Sequence, residues 1–422
     1  MSLIGLTYFS CFMLMLFVSF KYSPNIFSPF KVLFFNITIF WGDIFWIDFS
    51  ILVYLYFLYV LLISLVVLFY EIKFKSTFIK GKIIFINKRI IFGRLWMLTL
   101  IPILFQIVMI FEMGGISAYV HSINLRVVMW QGYGIYLFFI RSILIINLIY
   151  FYFLIRSINI NKRSFLFFLL HSLIFISISL LSGSRSTLLV NFILMLIMYN
   201  LIIKDVNILK IVSIGFAALL VAFVLGVARY GYSYEDGELS TGLSNSNIDK
   251  KFEFANFSYG LFPIDVISNK DILVDYYYGS TYFTIFSNFI PRFLWSNKPD
   301  TSGVIFTNTY YNVHDGYSNY STGFIVDGIL NFGFIFGPIL GFLIIVLIYY
   351  SFFKYFNNFV SFTSNFNLIT NDLFYVVILF LLPTFLHGEF TTVFYSIFVF
   401  KIILIYLIYK FCVPINSIFR IY

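Results

Sequence analysis

Long apolar runs, each about as wide as the hydrocarbon core of a bilayer, alternate with short polar intervals along most of this chain. The runs fall at 3–20, 31–48, 51–70, 94–112, 133–153, 164–182, 186–203, 209–228, 324–350, 373–388 and 391–411. A helix needs roughly 20 apolar residues to cross the hydrocarbon, so the pattern predicts an all-α polytopic membrane protein with about 11 (10–12) transmembrane helices. The run 31–48 is the least regular, because Pro24 and Pro29 precede it and Asp43 and Asp48 crowd its end. It reads either as a span or as a re-entrant or interfacial piece. The first run, from Leu3 to Phe20, lacks a charged leading region and a small-residue cleavage site, so it reads as a retained helix. No repeat period and no inverted halves of the transporter kind are visible.

One polar interval breaks this rhythm. Residues 229–323 separate N-terminal transmembrane helices in 1–228 from C-terminal ones in 324–422. The interval opens with a Gly/Ser/Asn/Glu-rich stretch, Tyr230 to Asp249. Aromatic residues return from Phe252 onward, at Phe254, Phe257, Tyr259, Phe262 and Tyr276–Tyr278. That second half predicts short amphipathic helices folded onto the membrane surface.

Composition sharpens the class. Hydrophobic residues make up 61% of the chain and charged residues 11%, which leaves too little polar surface to cover a soluble globule. The 59 Phe and 32 Tyr fit lipid-facing packing as well as an aromatic-lined sugar site. Cys11 and Cys412 lie in the first and last runs without any Cys-x-x-Cys spacing, so neither a disulfide framework nor a zinc site is expected.

The cations set an orientation. Lys73, Lys75, Lys80, Lys82, Lys88, Arg89 and Arg94 crowd one interval, Arg156, Lys162 and Arg163 a second, Lys204 and Lys210 a third. Such intervals belong in the cytoplasm. Threading from there puts 113–132, the Ser182–Ser186 turn, the 229–323 interval and the His387–Glu389 turn on the opposite side. The long interval holds ten acidic residues against six basic, a net of −4 in a chain of +9. The positive excess is thus explained by topology, and a nucleic-acid partner is excluded.

Few arginines lie away from the cytoplasmic loops: Arg126, Arg141, Arg185, Arg229 and Arg292. Arg185 sits in Ser182-Gly183-Ser184-Arg185-Ser186, a break whose exposed backbone N–H groups beside a guanidinium make either an anion cradle or a tight hairpin with a snorkelling side chain. Arg229 ends the eighth run. Arg141 lies about eight residues inside the fifth, where a charge is costly unless it faces a wet cavity or a partner. Arg292 and Lys298 stand between and beside Pro291 and Pro299, whose fixed φ angles hold them on a stiff, extended or turning backbone suited to gripping an anion. For proton transfer the same face offers Asp327, His387 and Glu389, with His314 and Asp315 nearby in sequence; each is equally a helix cap or ion-pair partner. No Asp-x-Asp pair, Walker lysine loop or dinucleotide fingerprint is present, so neither metal nor cofactor is expected. Glu235-Asp236-Gly237-Glu238 has no EF-hand spacing.

The order of a Gly-Ser-Arg-Ser break, the run Ile290-Pro291-Arg292-Phe293-Leu294-Trp295-Ser296-Asn297-Lys298-Pro299, the segment Gly323 to Asp327 and then Asn331-Phe332-Gly333 resembles the bacterial O-antigen polymerases (Wzy type). The resemblance covers roughly residues 170–345. Arg292, ten residues and Gly303 also match an Arg-x10-Gly pattern of that family; the position eleven beyond Arg229 is Ser240, so no second copy exists. What the resemblance implies is a metal-independent glycosyltransferase with GT-C-like architecture in the bacterial inner membrane, its active site facing the periplasm. It would join oligosaccharide repeat units carried on undecaprenyl pyrophosphate, with membrane lipid and a chain-length regulator protein as further partners. Arg185, Arg229, Arg292, Lys298 and Arg141 would bind the pyrophosphate, and Asp327, His387 or Glu389 would serve as the base.

Two other functions share parts of the pattern. O-antigen ligases perform the same transfer onto a lipid A core acceptor, but the Pro-Arg-Phe-Leu-Trp run is closer to the polymerases. A flippase or other transporter would carry cations along several helices in near-symmetric halves, whereas the polar residues here gather on one face.

Reporter fusions after Lys80, Lys162 and Lys204 are expected to report cytoplasm, and fusions after Asn245 and Ser302 the opposite side. A cytoplasmic signal at Asn245 would invert the threading.

Overall fold

The computed structural model describes residues 3–74, 83–85, 88–124, 129–130, 132–157, 161–182, 185–211, 213–215, 232–235, 238–241, 260–269, 276–287, 290, 294–295, 297–312, 320–358, 365–413 and 419–421. These residues are helical apart from connecting turns and two short antiparallel ribbons, Ile83–Phe85 with Phe419–Ile421 and Tyr232–Glu235 with Glu238–Thr241. Seven of the described helices are long and apolar enough to cross a membrane: α1 (Leu3–Tyr22), α3 (Ile51–Lys73), α4 (Lys88–Glu112), α6 (Gly134–Arg156), α7 (Lys162–Leu181), α12 (Gly323–Asn358) and α14 (Phe390–Cys412). Shorter apolar helices are α2 (Pro29–Phe40), α8 (Arg185–Ile202) and α13 (Asn365–Leu381). The chain is therefore a helical polytopic membrane protein. Most of the predicted run 209–228 lies outside the described residues. So do Arg229, Arg292, His314 and Asp315, and so does the side chain of Arg185.

The helices group into two compact units. One comprises residues 1–77, 253–362 and 378–400; the other comprises 78–252, 363–377 and 401–422.

In the first unit, α2 has 12 residues, about 18 Å at 1.5 Å per residue, which is short of the roughly 30 Å hydrocarbon core. A single 3₁₀ turn, Gly42–Phe45, follows it, so the run 31–48 is not one regular spanning helix. Its N-terminus is closed by a carboxylate from α3: Glu71 accepts the Phe30 N–H at 2.8 Å and the Ser19 hydroxyl at 2.8 Å. A negative group at that end complements the helix dipole. The Lys31 ammonium turns back to the Ser23 and Asn25 carbonyls.

α12 is not one rod. Gly333 has φ 81° and ψ 176°, outside helical space, and the chain reverses there. Gly328 lies against Gly337, and Gly341 against Phe324, whose carbonyl oxygen is 2.7 Å from where a Cβ would stand. Both pairs are symmetric about position 332.5, so a half-helix, 323–332, lies antiparallel against 334–358. The run 324–350 was expected as a single span entered at Asp327. The hairpin instead puts Asp327 on a re-entrant half-helix beside the span. The turn is fixed by Tyr277 and Tyr278, whose N–H groups cap the carbonyls of Leu330 and Asn331 at 3.0 and 3.1 Å. Asn331 completes it, accepting from Gly279 N–H at 3.0 Å and donating to Thr281 Oγ1 at 2.6 Å.

In the second unit α6 is the central helix, buried almost continuously from Ile140 to Arg156. It carries two polar contacts into the interior. Asn147 joins His171, which also meets Thr99, both at 2.9 Å; Asn191 donates to Asn147 at 3.0 Å. Arg156 pairs with Asp372 at 2.7 Å, and Tyr152 donates to the same carboxylate at 3.0 Å. Arg156, counted above as a cytoplasmic loop charge, is 1% exposed.

The close approach of the two arms of α12 makes a sharp prediction. Gly328→Ala is expected to destabilise the detergent-solubilised protein by about 1–3 kcal/mol through overpacking. Gly93→Ala in α4, where a Cβ meets nothing within 4 Å, is expected to hold or raise stability by about 0.5–1 kcal/mol. Thermal unfolding of the two variants checks this, and equal midpoints would contradict the hairpin.

Candidate functional site

Three helix N-termini of the first unit come together: α11 (Ser302–Tyr311), the half-helix beginning at Gly323, and α14 beginning at Phe390. The reasons are local. Thr301-Ser302-Gly303 and Ser321-Thr322-Gly323 each place small hydroxyl residues and a glycine ahead of an apolar stretch, a helix-start signature. Gly323 has φ 70°, and a Cβ there would stand 2.6 Å from the Leu386 carbonyl oxygen, so only glycine lets the half-helix start against the His387 turn.

Each terminus leaves backbone donors unpaired, and two carboxylates take them. The Asp327 Oδ2 accepts the Phe390 N–H at 2.7 Å, at the start of α14. Its Oδ1 accepts the Ser302 hydroxyl at 2.6 Å and also the Thr322 hydroxyl. Glu389 Oε1 accepts the Gly303 N–H at 3.2 Å, at the start of α11, where Thr301 makes no side-chain cap. Ser302 is shared, lying 3.3 Å from the same Glu389 oxygen. Glu389 Oε2 accepts the Thr392 hydroxyl at 2.6 Å. Asp327 and Glu389 are both buried.

The single Ser302 hydroxyl therefore faces an oxygen of each carboxylate and has one proton for the two. The N–H and hydroxyl donors of three helix starts are thus divided between two buried acids that share one hydroxyl. Two carboxyl groups placed on one hydroxyl are chemically able to pass a proton.

His387 adjoins the pair. Its imidazole stacks on Phe40 with ring centroids 3.9 Å apart, and its Nδ1 has no hydrogen-bond partner among the described residues. Its carbonyl accepts the Ser321 hydroxyl at 2.6 Å. Enclosure of the ring penalises the imidazolium and pushes its pKa down to about 3, so the ring is neutral near pH 7 and a weak proton acceptor.

Asp327 and Glu389, distant in sequence, are thus brought together through Ser302, and His387 lies in the turn just before Glu389 with its ring on Phe40. Ser302, Gly303 and Thr322 were not singled out among the candidates by the sequence reading, although Gly303 closes the Arg-x10-Gly pattern. Lys298 folds back on its own loop, donating to the Ile290 carbonyl at 3.1 Å. Arg141 belongs to the second unit, on the exposed side of α6. There its charge opposes that of Lys401, in the π-helical stretch Tyr395–Ile402 of α14. Arg185 opens α8 at the predicted break. Among the described residues no three His, Cys, Asp or Glu side chains gather as a metal-ligand set.

No family model, no curated protein and no solved structure matches the chain.

Proposed function

We propose that this chain is an O-antigen polymerase of the Wzy type, a membrane glycosyltransferase. It joins undecaprenyl-pyrophosphate-linked oligosaccharide repeat units at the periplasmic face of the bacterial inner membrane. The observation that carries the reading is the Gly303–Glu389 hydrogen bond. The run that resembles the polymerases, from Ile290 through Pro299, leads within a few residues to Gly303. Gly303 in turn is fastened to the carboxylate pair. The resembling region, which holds Gly303 and Asp327, and Glu389, which lies outside it, therefore support one site.

In this mechanism the acceptor sugar hydroxyl gives up its proton as it attacks the anomeric carbon of the donor, and the bond to lipid pyrophosphate breaks. Asp327 and Glu389 act as a unit, with the Ser302 hydroxyl relaying the proton between them. His387, neutral and stacked on Phe40 in the turn before Glu389, is the weakest base of the three. The departing pyrophosphate needs fixed cations, and Arg292 has the fork geometry that matches phosphate oxygens. Lys298, Arg185, Arg229 and Arg141 are the further cations of the proposal. A chain-length regulator would act on the same assembly.

Lipopolysaccharide gels test it. Arg292→Ala is expected to abolish laddering, while Arg292→Lys retains a little, since a point charge keeps attraction but loses the bidentate grip. Asp327→Asn and Glu389→Gln should each lower polymerisation by roughly 10²–10⁴-fold. The double variant should fall little further, because groups that act together are non-additive. Normal ladders in the double variant at normal protein level would defeat the proposal.

A further inference from the structure

Two short helices of the first unit, α9 (Phe262–Asn269) and α10 (Ser280–Ser287), present opposite polarities. α9 is ordinary, burying Ile264 and Ile267 together with the preceding Leu261. α10 is reversed. Thr281, Thr284 and Ser287, spaced three apart, are buried, whereas Phe283 is 50% and Phe286 67% exposed. The exposed stripe continues through Ile290 and Leu294.

The inward hydroxyls have a reason. The Asn331 amide donates to Thr281 at the tip of the α12 hairpin, and Thr284 donates to the Thr281 carbonyl at 2.5 Å. Tyr282 is held against the same structures, stacked on Phe332 at 6.3 Å and edge-on to Phe390 at 5.3 Å. The helix is therefore fixed by its polar side to the elements that carry Asp327 and Glu389, with its phenyl rings pointing away from them.

We propose that α10 lies in the bilayer hydrocarbon with Phe283 and Phe286 among the acyl chains, on the lipid-facing side of the elements that carry Asp327 and Glu389. A helix facing water would bury its rings and expose its hydroxyls; the opposite choice fits an apolar solvent. The level agrees. α10 is tied to Asn331 and Phe332, just before the spanning arm of α12 begins, and Phe334, Ile335 and Phe336, the first residues of that arm, are themselves exposed. Trp295 packs on Phe283 at 6.4 Å, and the polar Asn297, Lys298 and Asp300 follow at once, the order of apolar, aromatic and charged groups met on leaving a membrane. A second copy of the chain is a poorer occupant, because a stripe of two rings and two aliphatic side chains falls short of the roughly 1,000 Å² that a specific interface requires. The placement does not depend on the reaction proposed above.

The test uses the full chain in vesicles of phosphatidylethanolamine and phosphatidylglycerol. Cys11 is replaced by serine, and a nitroxide is attached at Phe283→Cys, Phe286→Cys or Asn297→Cys. Collision with oxygen is expected to exceed collision with a water-soluble nickel complex several-fold at 283 and 286, with the reverse at 297. Preferential nickel collision at 283 and 286 would overturn the proposal, as would spin–spin broadening there that vanishes on dilution with unlabelled protein. The wild-type chain gives an independent reading in the same vesicles doped with a diazirine-tailed phospholipid. Adducts are expected on 283–290 as well as on the spanning helices, and adducts on the spanning helices with none on 283–290 would contradict the placement.

Discussion

The arrangement of the first unit depends on how buried helix ends are satisfied. Three helices start at nearly one place, and their free N–H groups cannot be left dry. Asp327 and Glu389 answer this by capping the helices that begin at Phe390 and Ser302, and Ser302 ties the two acids to one another. Each such charge-assisted bond is worth about 1.5–3 kcal/mol. The same bonds hold the segments 302–311, 323–332 and 387–394 in register. A carboxylate pair that is indispensable to packing is also held rigidly, and rigid placement is what proton transfer requires. The two roles are therefore compatible in one constellation.

A second constraint is glycine. At Gly333 the backbone takes a conformation that side chains disfavour, and at Gly328 and Gly337 the two arms touch without side chains between them. The resulting hairpin, together with α2, gives the first unit two elements too short to span. Non-helical backbone at membrane depth is tolerated where protein covers it, and the turn residues 276–281 supply that cover.

Much of the helical pattern was legible in the sequence. The runs 51–70, 133–153 and 164–182 became Ile51–Lys73, Gly134–Arg156 and Lys162–Leu181, because apolar length alone decides such segments. The break before Arg185 and the turn at His387 also fell where the polar residues stood. What the sequence could not show was direction. Hydropathy reads 324–350 as continuous, since a reversal at a glycine flanked by phenylalanines leaves no polar trace. Arg156 read as a loop cation because its partner Asp372 lies 216 residues away. α10 looked like an amphipathic helix lying on a surface, and periodicity cannot tell which side of such a helix faces the protein. Of the candidate site, Asp327, His387 and Glu389 were found as rare polar residues in apolar surroundings. Ser302 and Thr322 were hidden among ordinary helix-start residues, and only the fold shows that they serve the carboxylates.

The proposed glycosyl transfer from a lipid-pyrophosphate donor at the carboxylate pair is tested most directly by reconstitution. Purified chain is incubated with lipid-pyrophosphate-linked repeat units and no nucleotide sugar, and the products are resolved on a gel. The account predicts a ladder of lipid-linked oligomers that lengthens with time, with lipid pyrophosphate released for every unit joined. Folded protein that leaves the repeat units unjoined, or that transfers them only to an added lipid A core acceptor, would contradict it.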